Sequence, residues 1–192
     1  MHAQEINLLP VQKLSSDTIR VERLMPGPIE RLWSYLVDED KRRLWFAAGA
    51  MGPQVGSKTR LLFNHANFAD EPTPEKYKEM DKGTMGFEVE VTVFEPPHRL
   101  SYTWPAAPGL SEVTFDLAEQ GDKVRLVLTH QRLRDAGQML NVSSGWHAHL
   151  QVLEDLLNNR STKGFWSNIE RLEKDYAQRF GGSAPASDRP GA

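Results

Sequence analysis

The side chains best suited to chemistry in this chain are a few histidines and tryptophans, and they meet in one stretch. That stretch is Gly145-Trp146-His147-Ala148-His149-Leu150-Gln151-Val152-Leu153-Glu154-Asp155-Leu156-Leu157. A histidine titrates near neutral pH and so serves as acid, base or hydrogen-bond donor. An indole offers a wide apolar face and a single N–H. At helical spacing Trp146, Leu150, Leu153 and Leu157 fall on one stripe. His149 and Leu156 flank it on one side. His147, Glu154 and Asn158 flank it on a more polar side, so His147 is expected to be exposed. His149 is then the pocket candidate. The same placement also suits a histidine that bonds a neighbouring strand or loop and fixes packing.

The remaining chemistry-bearing residues point to less. His65, His98, His130, His147 and His149 are too scattered to read as a ligand set. His147 and His149, two residues apart on a helix, point about 200° apart and cannot chelate one ion. No metal site is expected. Glycine-rich nucleotide loops and the Gly-x-Ser-x-Gly turn are missing, so no cofactor and no hydrolase chemistry are expected either. Glu88 and Glu90 lie on the polar face of an alternating strand and are expected to be solvated.

Certain elements must position these residues. Asp17 to Leu24 alternates weakly and predicts a first strand after a loosely packed lead-in over 1–16. Past Pro26-Gly27-Pro28, the residues Ile29, Leu32, Trp33 and Leu36 share one helical face. Asp38-Glu39-Asp40 precedes a second short helix carrying Leu44, Trp45 and Phe46. Ser57 to Phe63 predicts a strand, and Asn64 to Lys82 a long surface loop with one helical turn near 75–80. From Met85 the period is strictly two, through Phe87, Val89, Val91 and Val93, then Leu100, Tyr102 and Trp104. Val113, Phe115 and Leu117 continue it, and after the turn at Gln120-Gly121-Asp122 so do Val124, Leu126 and Leu128. Gly137 and Asn141 to Gly145 read as the lead-in to the helix, with Ser143 or Ser144 as its cap. Phe165, Trp166, Ile169, Leu172, Tyr176 and Phe180 predict a last helix, and 181–192 a disordered tail.

Bulk composition narrows the function classes. At 192 residues the chain suits one domain, placed here at 17–180. A net charge of -3 gives no basic excess for nucleic acid. Without cysteine there is no disulfide, thiolate metal site or cysteine nucleophile. No apolar run reaches the ~20 residues of a membrane span, and no signal peptide is apparent. A cytoplasmic protein without nucleic-acid or membrane partners is expected.

The layout is α+β: a strand, two short helices, an antiparallel sheet of about six to seven strands in all, and a long C-terminal helix. The sheet's apolar face needs a cover, and the amphipathic helix is the element left to supply it. A curved sheet around one straight helix is the helix-grip layout, and it leaves a cavity between the two.

Several motifs then resemble one family. Gly145-Trp146-x-x-His149-Leu150-x-x-Leu153 is similar to the signature of the START-like (SRPBCC) superfamily, in the branch named for the activator of the heat-shock-protein-90 ATPase. Phe63-Asn64-His65 with Asp70-Glu71-Pro72-Thr73-Pro74-Glu75-Lys76-Tyr77 resembles that branch's strand and acidic loop. Phe94-Glu95-Pro96-Pro97-His98-Arg99-Leu100-x-Tyr102-Thr103-Trp104 resembles its strand–turn–strand, and Phe165-Trp166 through Tyr176 its C-terminal extension. The resemblance implies a helix-grip (START/Bet v 1-like) fold whose cavity often takes a lipid-like, aromatic or polyketide-like molecule. It implies no shared catalytic set.

The expected function is binding of a small hydrophobic molecule in that cavity. Trp33, Phe63, Phe87, Tyr102, Trp104, Phe115, Trp146, His149 and Leu153 are the candidate lining, with His149 and Tyr102 orienting a polar group. Two alternatives stand beside it. One is a stress-response co-chaperone with a chaperone partner. The other is a cyclase or dehydratase that uses His149 as acid/base.

Overall fold

The computed structural model describes residues 9–79, 81 and 86–181. Expectations for residues 1–8, for Met85 and for the tail beyond Gly181 lie outside the described residues. Seven strands form one antiparallel sheet in the order β1-β2-β7-β6-β5-β4-β3. They are β1 (Gln12–Lys13), β2 (Ile19–Pro26), β3 (Lys58–Leu62), β4 (Gly86–Glu95), β5 (Arg99–Ala106), β6 (Gly109–Gln120) and β7 (Lys123–Gln131). The helices are α1 (Ile29–Val37), α2 (Glu39–Arg42), α3 (Ala136–Leu157) and α4 (Phe165–Phe180). The fold is α+β and of the helix-grip type. No helix among the described residues is long and apolar enough to cross a membrane.

Alternation builds the sheet. In β6 and β7 the buried residues Val113, Phe115, Leu117, Val124, Leu126 and Leu128 alternate with more exposed ones, so one face is apolar. Gly121 takes φ +65° at the β6–β7 turn, a conformation that favours glycine. A register shift between Val91 and Val93 interrupts the β4–β5 ladder, and such a bulge bends a sheet. Glu88 and Glu90 are exposed, and Glu88 pairs with Lys58 at 3.1 Å.

Three elements differ from expectation. The lead-in adds a strand: Gln12 and Lys13 pair with Arg20 and Ile19, and the Val11 N–H donates to Tyr176 Oη at 2.8 Å. Two residues are too few to show a period. The second short helix ends at Arg42, and Leu44, Trp45 and Phe46 follow in turns and irregular chain. The long helix starts nine residues earlier than Gly145, at Ala136. Its cap is the Asp135 carboxylate, which accepts the Gln138 N–H at 2.8 Å. Ser143 and Ser144 are buried inside it, donating to the carbonyls of Met139 (2.7 Å) and Leu140 (2.9 Å). Such back-bonding lets serine stand inside a helix, and tertiary packing overrides the local break that Gly137 and Gly145 suggest.

Candidate functional site

Where α3 crosses the apolar face of the sheet, the space is filled by rings. Phe46, from the chain after α2, is their hub. It stacks on Trp146 (5.0 Å between centroids) and on Trp45 (5.4 Å). It meets Phe63 at 5.4 Å and His149 at 5.1 Å edge-on, and lies 6.1 Å from Trp104. Trp146 also contacts Trp104 (5.6 Å) and Phe115 (5.8 Å), and Phe115 reaches Tyr102 (6.2 Å). Phe87 joins through Trp104 at 4.7 Å and Phe63 at 5.6 Å. Seven of the nine expected lining residues are thus in one connected set. Leu153 is fully buried on the same helix, three residues after Leu150. Trp33 stands apart from the rings: it meets Phe94, edge-on at 5.4 Å. The cluster is graded. Phe46 and Trp146 are buried, whereas Phe87 and Trp104 are only half-buried.

The expected chamber between sheet and helix is therefore occupied by the protein's own side chains. Two depressions open elsewhere. One lies on the sheet's outer face between Arg20, His98 and Arg125, the other between Pro28 and the β6–β7 turn. The ring cluster lines neither.

Polar atoms inside the cluster are partnered by strand residues. The Trp146 indole N–H donates to His130 Nδ1 at 3.1 Å. Burial holds the His130 pKa down at about 3, so the ring is neutral and its remaining proton sits on Nε2. Nε2 then donates to Ser111 Oγ at 2.9 Å, and Ser111 donates to the Trp104 carbonyl at 3.3 Å. Neither His130 nor Ser111 was expected here, although the signal exists. Both continue the inward parity of their strands, Val124-Leu126-Leu128-His130 and Ser111-Val113-Phe115. Phe46 had no such signal, because it lies outside any periodic element.

His149 lies within this interior, 6% exposed, with Nδ1 at 2.7 Å from the Trp45 carbonyl. A carbonyl only accepts, so Nδ1 carries the proton. Burial first, and then His65 nearby, hold the pKa down at about 3 against that bond. At neutral pH the ring is uncharged and can accept a hydrogen bond but has no proton of an acid to give. His147 is not exposed as its polar shoulder suggested. It is half-buried between α3 and α4, with Nδ1 2.7 Å from Tyr176 Oη. Burial, then Arg23, Arg171 and Arg179, lower its pKa to about 3. The reason is α4: its Tyr176 covers a flank that looks open on an isolated helical wheel.

A strap from His65 to Asp81 closes the other side. His65 Nδ1 is 2.7 Å from Asp81 Oδ1, and Asp81 also accepts from the His65 backbone N–H and from Thr73 Oγ1. Burial raises the Asp81 pKa, but the bonds from His65 and Thr73 outweigh it and leave it low. His65 packs 4.8 Å from Trp166, 5.4 Å from Phe165 and 5.5 Å from His149. The strap clamps onto α4. The Gly164 N–H donates to Asp70 at 2.8 Å and the Ser167 N–H to Glu71 at 2.9 Å. Tyr77 stacks on Trp166 at 5.0 Å and bonds Glu173.

Arg42, at the end of α2, is 1% exposed. Its Nη1 donates to the Gly49 carbonyl at 2.8 Å, and its guanidinium lies 5.7 Å from the Phe46 ring centroid and 6.0 Å from that of Tyr102. Burial pushes its pKa below the ordinary arginine value, while Tyr102 and Glu39 act the other way. Burial pushes the Tyr102 phenol up, so that group is neutral.

The model of the activator of Hsp90 ATPase homolog 1-like proteins matches residues 26–158 of this chain. The chain belongs to that family. The solution structure of the protein encoded by gene BPP1335 of Bordetella parapertussis is 44% identical, at TM-score 0.77, over 88% of each chain. The crystal structure of CalU16 from Micromonospora echinospora shares the fold at 18% identity and TM-score 0.62, over 90% of this chain and 92% of that one. EF2215 of Enterococcus faecalis, described as a conserved protein of unknown function, does so at 18% identity and TM-score 0.63, over 93% and 96%. No curated protein matches the chain.

Proposed function

We propose that the protein binds a small hydrophobic molecule, lipid-like or aromatic, between the sheet and α3. The observation that carries this reading is the graded ring cluster. A connected aromatic set runs from Phe46 and Trp146 in the interior to the half-buried Phe87 and Trp104. Rings that part sideways can exchange contacts with one another for contacts with a flat or linear apolar guest at little cost in buried area. The neutral, buried His149 favours binding over acid catalysis, since a group with a pKa of about 3 is unprotonated at neutral pH.

The test is an amide-shift titration of the purified protein with a panel of fatty and aromatic compounds, alongside native mass spectrometry. The expected result is a bound compound and shifts grouped at Phe46, Phe87, Trp104 and Trp146. A panel that leaves these amides unmoved overturns the reading. The family's description favours a second reading, a chaperone partner. Stimulation of a chaperone ATPase by the full chain would support it.

A further inference from the structure

We propose that Arg42 is an anion subsite of the ring-lined interior, so that the guest is an apolar acid carrying a carboxylate. This rests on the binding reading above and names its ligand class. The argument starts from charge pairing. Arg20 and Arg125 meet Glu22 at 2.8 and 2.6 Å, Arg99 meets Asp116 at 2.6 Å, and Arg171 meets Asp175 at 2.8 Å, all at partly or fully exposed positions. Arg42 and Arg23 are far more buried, each 1% exposed, and neither has a carboxylate paired with it among the described residues; Arg23 bonds the Leu9 and Glu22 carbonyls, whereas Arg42 is the one that stands against the Phe46 and Tyr102 rings.

An arginine is almost never fully buried unless paired, because the charge loses its hydration. A guanidinium has five N–H donors in a planar fork suited to a carboxylate. One of them is used by the Gly49 carbonyl. The faces of Phe46 and Tyr102 offset part of the charge but supply no conventional hydrogen-bond acceptor. The group stands against the hub of the ring cluster, since Phe46 itself contacts Trp146, Phe63 and Trp104. A carboxylate beside Arg42 would complete the ion pair while its apolar body lies among those rings. Neither His149 nor Tyr102, both neutral, offers a charge for this.

Naphthalene-2-acetic acid and its primary amide have nearly the same shape, and titration calorimetry at pH 7.5 compares them. The wild-type protein is expected to bind the acid about tenfold more tightly than the amide, the worth of one charge-assisted contact. Arg42→Met should remove that preference and leave amide binding within about threefold. Arg42→Lys, which keeps the charge and loses the fork, should retain part of it. Circular dichroism checks that each variant folds; where Arg42→Met does not, the acid–amide ratio in wild type and Arg42→Lys decides. Equal binding of acid and amide by the wild type overturns the anion subsite and leaves the binding reading standing. Binding of neither compound counts against both. An acid preference that survives in Arg42→Met places the subsite elsewhere and overturns the assignment.

Discussion

The two sides of the interior solve the same problem differently. On the sheet side, each polar atom of the buried chain from Trp146 through His130 and Ser111 to the Trp104 carbonyl has its partner, and the unpartnered buried atoms of the sheet, Arg23 Nη2 and Thr92 Oγ1, lie outside that chain. On the strap side, His65 and Asp81 are paired, but the Trp166 indole nitrogen is buried with no hydrogen-bond partner among the described residues. The strap is held to α4 largely by exposed contacts, among them Lys76–Glu173 and Glu71–Ser167. Fully satisfied buried networks rigidify a core, whereas exposed pairs contribute little and yield first. The strap side is therefore expected to open before the sheet side.

Acid tests that contrast most strongly. His130, on the sheet side, and His149, which packs against the strap-side His65, are both lowered from 6.5 to about 3 by burial. The unfolded chain binds these protons more readily than the folded one. Their stability contribution is thus complete above pH 6.5 and is lost as pH falls toward 3. Each should cost about 2 kcal/mol by pH 5, and His147, also lowered to about 3 by burial, adds a like amount, so the three together should cost about 6 kcal/mol. Urea midpoints measured from pH 7.5 to 5 should fall accordingly. Ring resonances separate the two sides: His149 should begin to titrate through local opening while His130 still reports only global unfolding. Simultaneous titration of both would erase the distinction.

Next in size is Trp146→Phe. It removes the indole N–H, leaves His130 Nδ1 buried without a donor, and opens a small void. A lost buried partner costs about 1–3 kcal/mol and the void about 1 more, so denaturant unfolding should show a loss of about 2–4 kcal/mol.

How far each side could be read from sequence follows the same division. The sheet side is written in a period of two, so strands β4–β7 and most of their inward residues were readable, as was the stripe of α3 through Trp146, Leu150 and Leu153; Val93 is the exception, because the bulge after Val91 breaks the parity and turns Phe94 onto Trp33. His130 continues that parity and could have been found by extending it. The strap side rests on contacts between residues far apart in sequence. His65 meets Asp81 sixteen residues on, and Tyr77 meets Glu173 ninety-six residues on. No local period encodes such pairings. The same limit hid Tyr176 from His147, and hid Phe46 at the centre of the rings.

Loosening the strap should have a smaller effect, and a local one. Tyr77→Phe deletes the phenol bond to Glu173 and keeps the stack on Trp166. Global stability should fall by about 1 kcal/mol or less. Hydrogen exchange should show the Gly164 and Ser167 amides, which donate to the strap's Asp70 and Glu71, opening faster, with the β6–β7 amides unchanged. Equal acceleration in β6 and β7 would mean that strap and sheet unfold as one unit.

The smallest effect should come from the substitution that costs most of 2–4 kcal/mol on the sheet side, made now on the strap side. Trp166→Phe also trims an indole to a phenyl ring, and the ring stays against Tyr77, His65 and Phe165. A void again costs about 1 kcal/mol. Here the removed N–H had no partner among the described residues, so its deletion relieves a desolvation penalty of about 1–3 kcal/mol instead of orphaning an acceptor. The two terms oppose each other, and the net change should lie within about 1 kcal/mol of zero, of either sign. Measured beside Trp146→Phe under the same denaturant, the pair isolates the hydrogen bond from the ring. A loss at Trp166 as large as that at Trp146 would mean that shape alone sets the cost, and the division between a satisfied wall and an unsatisfied strap would have no energetic content.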